Sequence, residues 1–254
     1  MRLARVMLLL SVTAGISASA TQTWAQDGET WYRVQVVEVR PDKVTDFVEL
    51  YRDEINPALR RGGVPWRSAW RAGEFGNEYE RQFITPLSAF SDLDGGDALP
   101  RALGQRDYDR VLNTLRETTV ARHSYAVRYR QDLSVESDDV SGLSIARVTN
   151  LEVAVGRGGD FEAFLRENVA TFRDAGVVFG IYQRQFGPGP VVWQIVENLR
   201  SYDELARGGI LRAFDDQTSA AEQLAGVITS VERYVLEYDP ELSFAGVSAP
   251  SQQP

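Results

Sequence analysis

Apolar and polar positions change period several times along the chain. Val34 to Val39 is rich in β-branched residues and predicts a strand. From Val44 the period becomes helical: Val44, Phe47, Val48, Tyr51, Ile55, Ala58 and Leu59 form one stripe, and Gly62-Gly63 ends it. Pro57 lies inside that stripe. It lacks an N–H and its ring crowds the preceding turn, so a kink or disturbed last turns are expected there. Two short strands are predicted next, "PWRSAWRA" and "EYERQFIT", joined across "GEFGN". A second helical stripe runs through Tyr108, Val111, Leu112 and Leu115, and the Tyr-rich "SYAVRYRQDLS" closes the unit as a strand.

The same order of elements then returns. "RVTNLEVAVGRGGDFEAFLRENVATFRDAGVV" from Arg147 lies over "RVQVVEVRPDKVTDFVELYRDEINPALRRGGV" from Arg33. Glu38 meets Glu152, Asp46-Phe47 meets Asp160-Phe161, and Gly62 meets Gly176. The helical stripe is Phe161, Phe164, Leu165, Val169 and Phe172, with Thr171 in the place of Pro57. "VFGIYQRQ" and "PVVWQIVE" match the strand pair, and Leu224, Val227, Ile228 and Val231 match the second helical stripe. "ERYVLEYDPELS" repeats the closing strand: Tyr234, Tyr238 and Leu242-Ser243 answer Tyr125, Tyr129 and Leu133-Ser134. The spacing between matched residues shrinks slowly along the unit, which points to a few loop deletions in a tandem repeat.

The predicted fold class is therefore α+β, with two ferredoxin-like β-α-β-β-α-β repeats. Aromatic residues fall on both alternations of the predicted strands, among them Trp31, Trp66, Trp70, Phe83, Tyr125, Tyr182, Trp193 and Tyr234. A sheet that is apolar on two faces needs a partner on each, and the nearest partner is the other repeat. The repeats are expected to pair sheet to sheet as a single-chain α+β barrel that does not require oligomerisation. The expected boundaries are 1–25 for an export signal, 26–134 and 143–243 for the repeats, 135–142 for a linker and 244–254 for a flexible tail.

Composition narrows the partners. Hydrophobic residues make up 43% and charged residues 25%, as in an ordinary globular chain, while the formal net charge is −9. An acidic protein lacks the electrostatic footprint that nucleic-acid binding needs. With no cysteine, thiolate zinc sites, iron–sulfur clusters and cysteine nucleophiles are excluded. Residues 1–25 have a positive start at Arg2 and Arg5, an apolar run from Val6 to Ala20 and "TWA" before Gln26, the pattern of a cleaved export signal. The run is too short and too rich in Ser, Thr and Ala for a membrane span. The mature protein is expected to be periplasmic or secreted and not inserted in a membrane.

The element order, the opening "EVRPDKVTDFVELYRDEINPAL" and the "W…G…EYE" strand pair resemble the dimeric α+β barrel superfamily. Within it, the chain resembles the NIPSNAP-like and antibiotic-biosynthesis-monooxygenase-like members. The resemblance implies two halves paired through their sheets. It also implies a wide choice of function, since that superfamily includes cofactor-free oxygenases, haem enzymes and isomerases.

Candidate chemistry is sparse. His123 is the sole histidine, and a lone imidazole at a strand entrance suits a surface role better than a haem or metal ligand. Glu78 and Glu80 flank Tyr79 on one strand face; they suit a charged edge-strand rim better than an acid–base pair. The Gly-rich "RGGVPW", "GRGGD" and "ARGGI" fit no phosphate-loop spacing. "GLSIA" lacks the second glycine of a nucleophile elbow. More suggestive is a group of aromatics and arginines on strands expected to be neighbours. Arg33, Trp70, Arg71, Arg81 and Tyr125 form one set; Arg147, Tyr182, Gln183, Trp193 and Tyr234 form the other. An apolar pocket with a few orienting polar groups is what a small-molecule site needs. The candidate ligand-binding residues are Arg33, Trp70, Arg81 and Tyr125, in the first repeat, with no metal and no cofactor. The expected function is binding of a small apolar or aromatic ligand in a strand-lined cavity. The alternatives are a cofactor-free oxygenase or isomerase in the same cavity, and a structural or interaction protein whose barrel is filled by side chains.

Overall fold

The computed structural model describes residues 29–245, apart from 138, 140, 141, 215 and 216. The expected export signal and most of the expected tail lie outside the described residues. The first half runs β1 (Thr30–Val39), α1 (Val44–Leu50), α2 (Asn56–Arg61), β2 (Trp66–Ala72), β3 (Glu80–Leu87), α3 (Ala98–Leu103), α4 (Gln105–Thr118) and β4 (Thr119–Tyr129). The second runs β5 (Ile145–Val153), α5 (Gly158–Asp174), β6 (Gly180–Phe186), β7 (Val192–Leu199), α6 (Gln217–Gln223) and β8 (Ile228–Tyr238), followed by the short β9 (Phe244–Ala245).

All strand pairs are antiparallel, in the order β3-β1-β4-β6-β7-β5-β8-β2, and β2 pairs back to β3. Eight strands thus close into a barrel, with helices outside it. Closure removes the edge that Glu78 and Glu80 were expected to guard: β3 is paired on both sides, and Glu80 accepts from Gln82 Nε2 at 2.8 Å.

The two apolar faces of the sheet now have separate partners. Outside the barrel in the first half, Phe47, Leu50, Tyr51 and Ile55 of the helical stripe pack on Val37, Val39 and Phe83 of the strands. In the second, Phe161, Phe164, Leu165 and Phe172 of α5 pack on Leu151, Ile181 and Trp193. Inside the barrel, Val34, Val36, Tyr125 and Val127 form one cluster, and Trp70, Ala146, Val148 and Leu236 another.

Pro57 disturbs its helix as expected. The stretch Tyr51–Ile55 winds as a π-helical turn between α1 and α2, and Asn56 donates its N–H five residues back to Tyr51. The widened turn accommodates the proline ring against the carbonyl four residues earlier. With Thr171 in that place, α5 runs unbroken for 17 residues.

The second helical stripe of the later half is not a helix. Leu224 and Val227 are buried in the loop after α6, while Ile228 and Val231 belong to β8. Gly226 adopts a φ of 71° and breaks any helix there, and the β-branched run Val227-Ile228-Thr229 favours a strand. The boundaries at the ends of the halves also differ from expectation. Val135, placed in the linker, is buried and bridges Phe179; Phe244, placed in the tail, is buried on β9.

These boundary residues belong to a pair of matching hooks. After β4, Ser134 Oγ donates to Arg130 O at 2.7 Å and accepts from Ile181 N–H of β6 at 2.9 Å. After β8, Ser243 Oγ donates to Asp239 O at 2.6 Å and accepts from Ala69 N–H of β2 at 2.8 Å. Leu133, from the first half, is fully buried in the second half's helix-side core; Leu242, from the second, is fully buried in the first's. Leu242→Ala and Leu133→Ala should each destabilise the protein by about 2–5 kcal/mol, through lost burial and a residual cavity. Ser243→Ala leaves the Ala69 N–H without its partner and should cost roughly 1–3 kcal/mol. Chemical denaturation monitored by tryptophan fluorescence checks all three, and losses confined to Leu242→Ala would show that the hooks are not equivalent.

Candidate functional site

The barrel interior is not filled. A cavity of about 440 Å³ is bounded by strands of both halves. Its walls include Tyr32, Trp70, Gln82, Ile84, Tyr125 and Val127 from the first half. Ala146, Val148, Tyr182, Gln194, Val196, Tyr234 and Leu236 complete it from the second. Strand alternation sends these side chains inward while their neighbours meet the helices. The aromatic wall is continuous across the seam between halves: Tyr182 lies 5.1 Å from Tyr129 and 6.1 Å from Tyr32, and Trp70 meets Tyr238 edge-on at 5.4 Å.

Polar groups in the wall are mostly tied to one another. Gln82 Nε2 donates to Glu80 and lies 3.4 Å from the Tyr234 hydroxyl. Gln194 Nε2 donates to Asn150 Oδ1 at 2.9 Å, and Asn150 Nδ2 in turn donates to Glu232 at 2.9 Å. Trp70 Nε1 donates to Ser68 Oγ at 3.1 Å. Asn198 differs: its Oδ1 is buried on the cavity side with no hydrogen-bond partner among the described residues. At the mouth, the Tyr129 hydroxyl donates to Glu136, the one charged side chain among the described residues that line the cavity.

Burial holds the phenols neutral. Desolvation pushes the hydroxyls of Tyr32, Tyr125, Tyr129, Tyr182 and Tyr234 above the ordinary tyrosine range, and neighbouring carboxylates or phenols add to the shift. The cavity therefore offers neutral hydroxyl and amide groups on an apolar, aromatic surface. It suits an uncharged guest.

The four candidate residues are divided by the sheet. Trp70 and Tyr125 are buried and line the cavity. Arg33 and Arg81 are on the opposite face of β1 and β3, towards the helices. Arg33 pairs with Asp97 at 3.2 Å, and Arg81 donates to the carbonyls of Glu78 and Glu80 at 2.9 Å. Being neighbours in the sheet does not put side chains on one face, and assigning the faces from Tyr32, Val34 and Gln82 separates the arginines from the pocket. The site is also not confined to the first half, because Tyr182 and Tyr234 of the other set share the same cavity. Trp193 and Arg147 of that set face the helices, where Arg147 makes a buried bidentate pair with Glu197 at 2.7 Å. Asn198 and Glu136 carry no pattern that singles them out in the sequence.

His123 is exposed on β4, stacked near Tyr125 at 6.4 Å, and does not line this cavity. The residues present do not fit a histidine-ligated haem. Among the described residues, no group of three His, Asp or Glu side chains is placed to hold a metal ion.

No protein-family model and no curated protein matches the chain. Solved structures do. An anthrone oxidase-like protein aligns with a TM-score of 0.58 at 11% identity, covering 90% of this chain and 98% of its own. A candidate monooxygenase from Lactobacillus acidophilus aligns with a TM-score of 0.54 at 8% identity, over 83% and 94%. A chlorite dismutase from Candidatus Nitrospira defluvii aligns with a TM-score of 0.51 at 9% identity, over 84% and 92%. This chain shares their α+β barrel fold. At such identities the likeness concerns the fold alone.

The raised phenols set an alkaline limit. Above pH about 10, unfolded tyrosines release protons that the native cavity retains, so the unfolded state binds fewer protons and stability falls as pH rises. Ultraviolet absorbance titration should show the five cavity tyrosines ionising only together with loss of structure. Smooth ionisation of all tyrosines near pH 10 in a folded protein would contradict the burial assigned to them.

Proposed function

We propose that the protein is an exported binding protein that holds a small, uncharged, largely aromatic molecule inside its barrel. The observation that carries this is the interior cavity itself, walled by tyrosines, tryptophan and aliphatic side chains, with the only acid among the described lining residues at the mouth. Its volume falls in the range of small-molecule pockets, roughly 300–1,000 Å³. A barrel meant only as scaffold would fill that space with side chains. The buried Asn198 oxygen would accept a hydroxyl or amide proton from the guest, and the neutral phenols would supply donors. Export rests on residues 1–25 and tandem descent of the two halves on the matched segments. The shared strand order, β2-β3-β1-β4 and β6-β7-β5-β8, supports reading each half as a ferredoxin-like unit. N-terminal sequencing of material recovered outside the cytoplasm should begin at or near Gln26.

A cofactor-free oxygenase is the second reading, and Glu136 is the observation that favours it. Such chemistry starts with removal of a proton from an electron-rich substrate, and Glu136 is the described cavity residue able to accept one. The tyrosines are held as neutral acids and cannot serve as that base near neutral pH.

Two variants separate these readings. Val148→Trp, pointing into the void, should abolish retention of a neutral naphthol probe with little change in melting temperature. Glu136→Gln should leave binding within about threefold, since the mouth carboxylate contributes no charge pairing to an uncharged guest. Oxygen uptake with quinol-like substrates by the parent protein, lost in Glu136→Gln, would select the oxygenase. Equal naphthol binding by Val148→Trp and the parent would refute a site inside the barrel.

A further inference from the structure

Outside the barrel, the first half has a second cavity of about 520 Å³, between the sheet and its helices. Arg67 lies at its floor, only 4% exposed. Its guanidinium stacks 3.8 Å above the Phe83 ring and 4.9 Å from Tyr51. It donates to two neutral amide oxygens, Asn56 Oδ1 at 3.2 Å and Gln35 Oε1 at 3.5 Å, and its Nε has no partner among the described residues. No described carboxylate pairs with it; Asp97, which lines the groove, is engaged by Arg33. A buried cation without a counter-charge is costly, and burial pulls the Arg67 pKa down to about 10. The groove as a whole is basic, with Arg33, Arg67, Arg101 and Arg122 against Asp92 and Asp97, in a chain whose formal net charge is −9.

The second half provides an internal control. Arg67 pairs with Phe244 after one hook, and Phe179 pairs with Val135 after the other, so the two residues occupy matching places. Phe179 is buried against Phe172 at 5.2 Å, and Phe172 against Phe214 at 5.5 Å. Likewise Arg33 faces Thr85 across its strand pair, where Arg147 faces and binds Glu197. The second half packs its space with aromatics and neutralises Arg147 across the strand pair. The first leaves its space open, and Arg33 takes Asp97, the groove's nearest carboxylate, away from Arg67.

We propose that this groove binds an organic monocarboxylate, its carboxyl group on Arg67 and its apolar body along Leu59, Leu112 and Leu115. The guanidinium fork matches a carboxylate, and the apolar sides select an anion that carries a hydrocarbon body rather than a small inorganic ion. One unpaired cation at depth calls for one negative charge. The site is independent of the cavity inside the barrel and takes an anion where that cavity suits an uncharged guest.

The test uses the mature full-length chain with 2-naphthoate and the uncharged 2-naphthamide as probes, followed by calorimetry and melting temperature. Naphthoate should bind and raise the melting temperature; at the groove, read in Val148→Trp so that the barrel interior is excluded, naphthamide should be weaker by about tenfold or more. Val148→Trp, which fills the barrel interior, should leave naphthoate binding intact. Arg67→Met should lose it while melting no lower than the parent, because an unpaired buried charge is replaced by an apolar side chain of similar length. Leu112→Trp, which narrows the groove from α4 and keeps Arg67, should also lose it. Naphthoate binding that survives both groove variants would overturn the proposal. So would a parent protein blind to naphthoate, or an Arg67→Met protein that melts lower with binding unchanged, which would make Arg67 a structural tie.

Discussion

The reciprocal crossing of the two chain hooks is the constraint on which the rest depends. Each half ends its last strand with a tyrosine, a turn, and a Leu-Ser pair whose leucine is fully buried in the other half's core. The serine hydroxyl then fixes the neighbouring strand of that other half, at Ile181 in one case and Ala69 in the other. Neither helix-side core is complete without a residue from the opposite half. The seams β4–β6 and β8–β2 therefore close together, and closure is what turns two sheets into one wall around a cavity. A half on its own would leave the aromatic inner face of its sheet in water and a hole in its outer core.

Closure also explains why the interior stays open. The eight strands set the barrel's width through backbone geometry, whereas the side chains that could fill it are set by sequence. Inward positions on β5 and β7 carry Ala146, Val148 and Val196, which pack beside Trp70 but are too small to fill the space in front of them. The helix-side spaces follow the same logic with opposite outcomes. Phe161, Phe172, Phe179 and Trp193 fill the second half's, while Arg67 and the glycine-bearing turn at Gly62-Gly63 leave the first half's open.

Much of this architecture was legible in the chain. Periodicity located the strand pairs and the helical stripes, and the echo of Tyr125–Ser134 in Tyr234–Ser243 marked residues that prove to do matching work at the two seams. Periodicity failed at Leu224–Val231 because a short apolar run suits a helix or a strand equally well. There the decision lay with Gly226 and the β-branched residues rather than with spacing. Val135 and Phe244, just past the Leu-Ser pairs of the hooks, read as linker and tail because they sit in polar, irregular surroundings, and their burial arises from contacts distant in sequence.

The site was harder to read than the fold, for a physical reason. Arg33, Trp70, Arg81 and Tyr125 are close in the sheet, and sequence can say that much. Whether they share a chemistry depends on face, and one residue of register moves a side chain from the cavity to the helix layer. The division separates these groups by location: Trp70, Tyr125 and the other cavity tyrosines and amides face inward, while Arg33, Arg67, Arg81 and Arg147 face the helices. Two helix-side arginines, Arg147 and Arg67, differ in what they meet there. Glu197 neutralises the first within the fold, and amide oxygens leave the second's charge uncompensated. An uncharged interior and an unneutralised arginine outside it are consequences of the same strand alternation, and they give one barrel two cavities with different chemical demands.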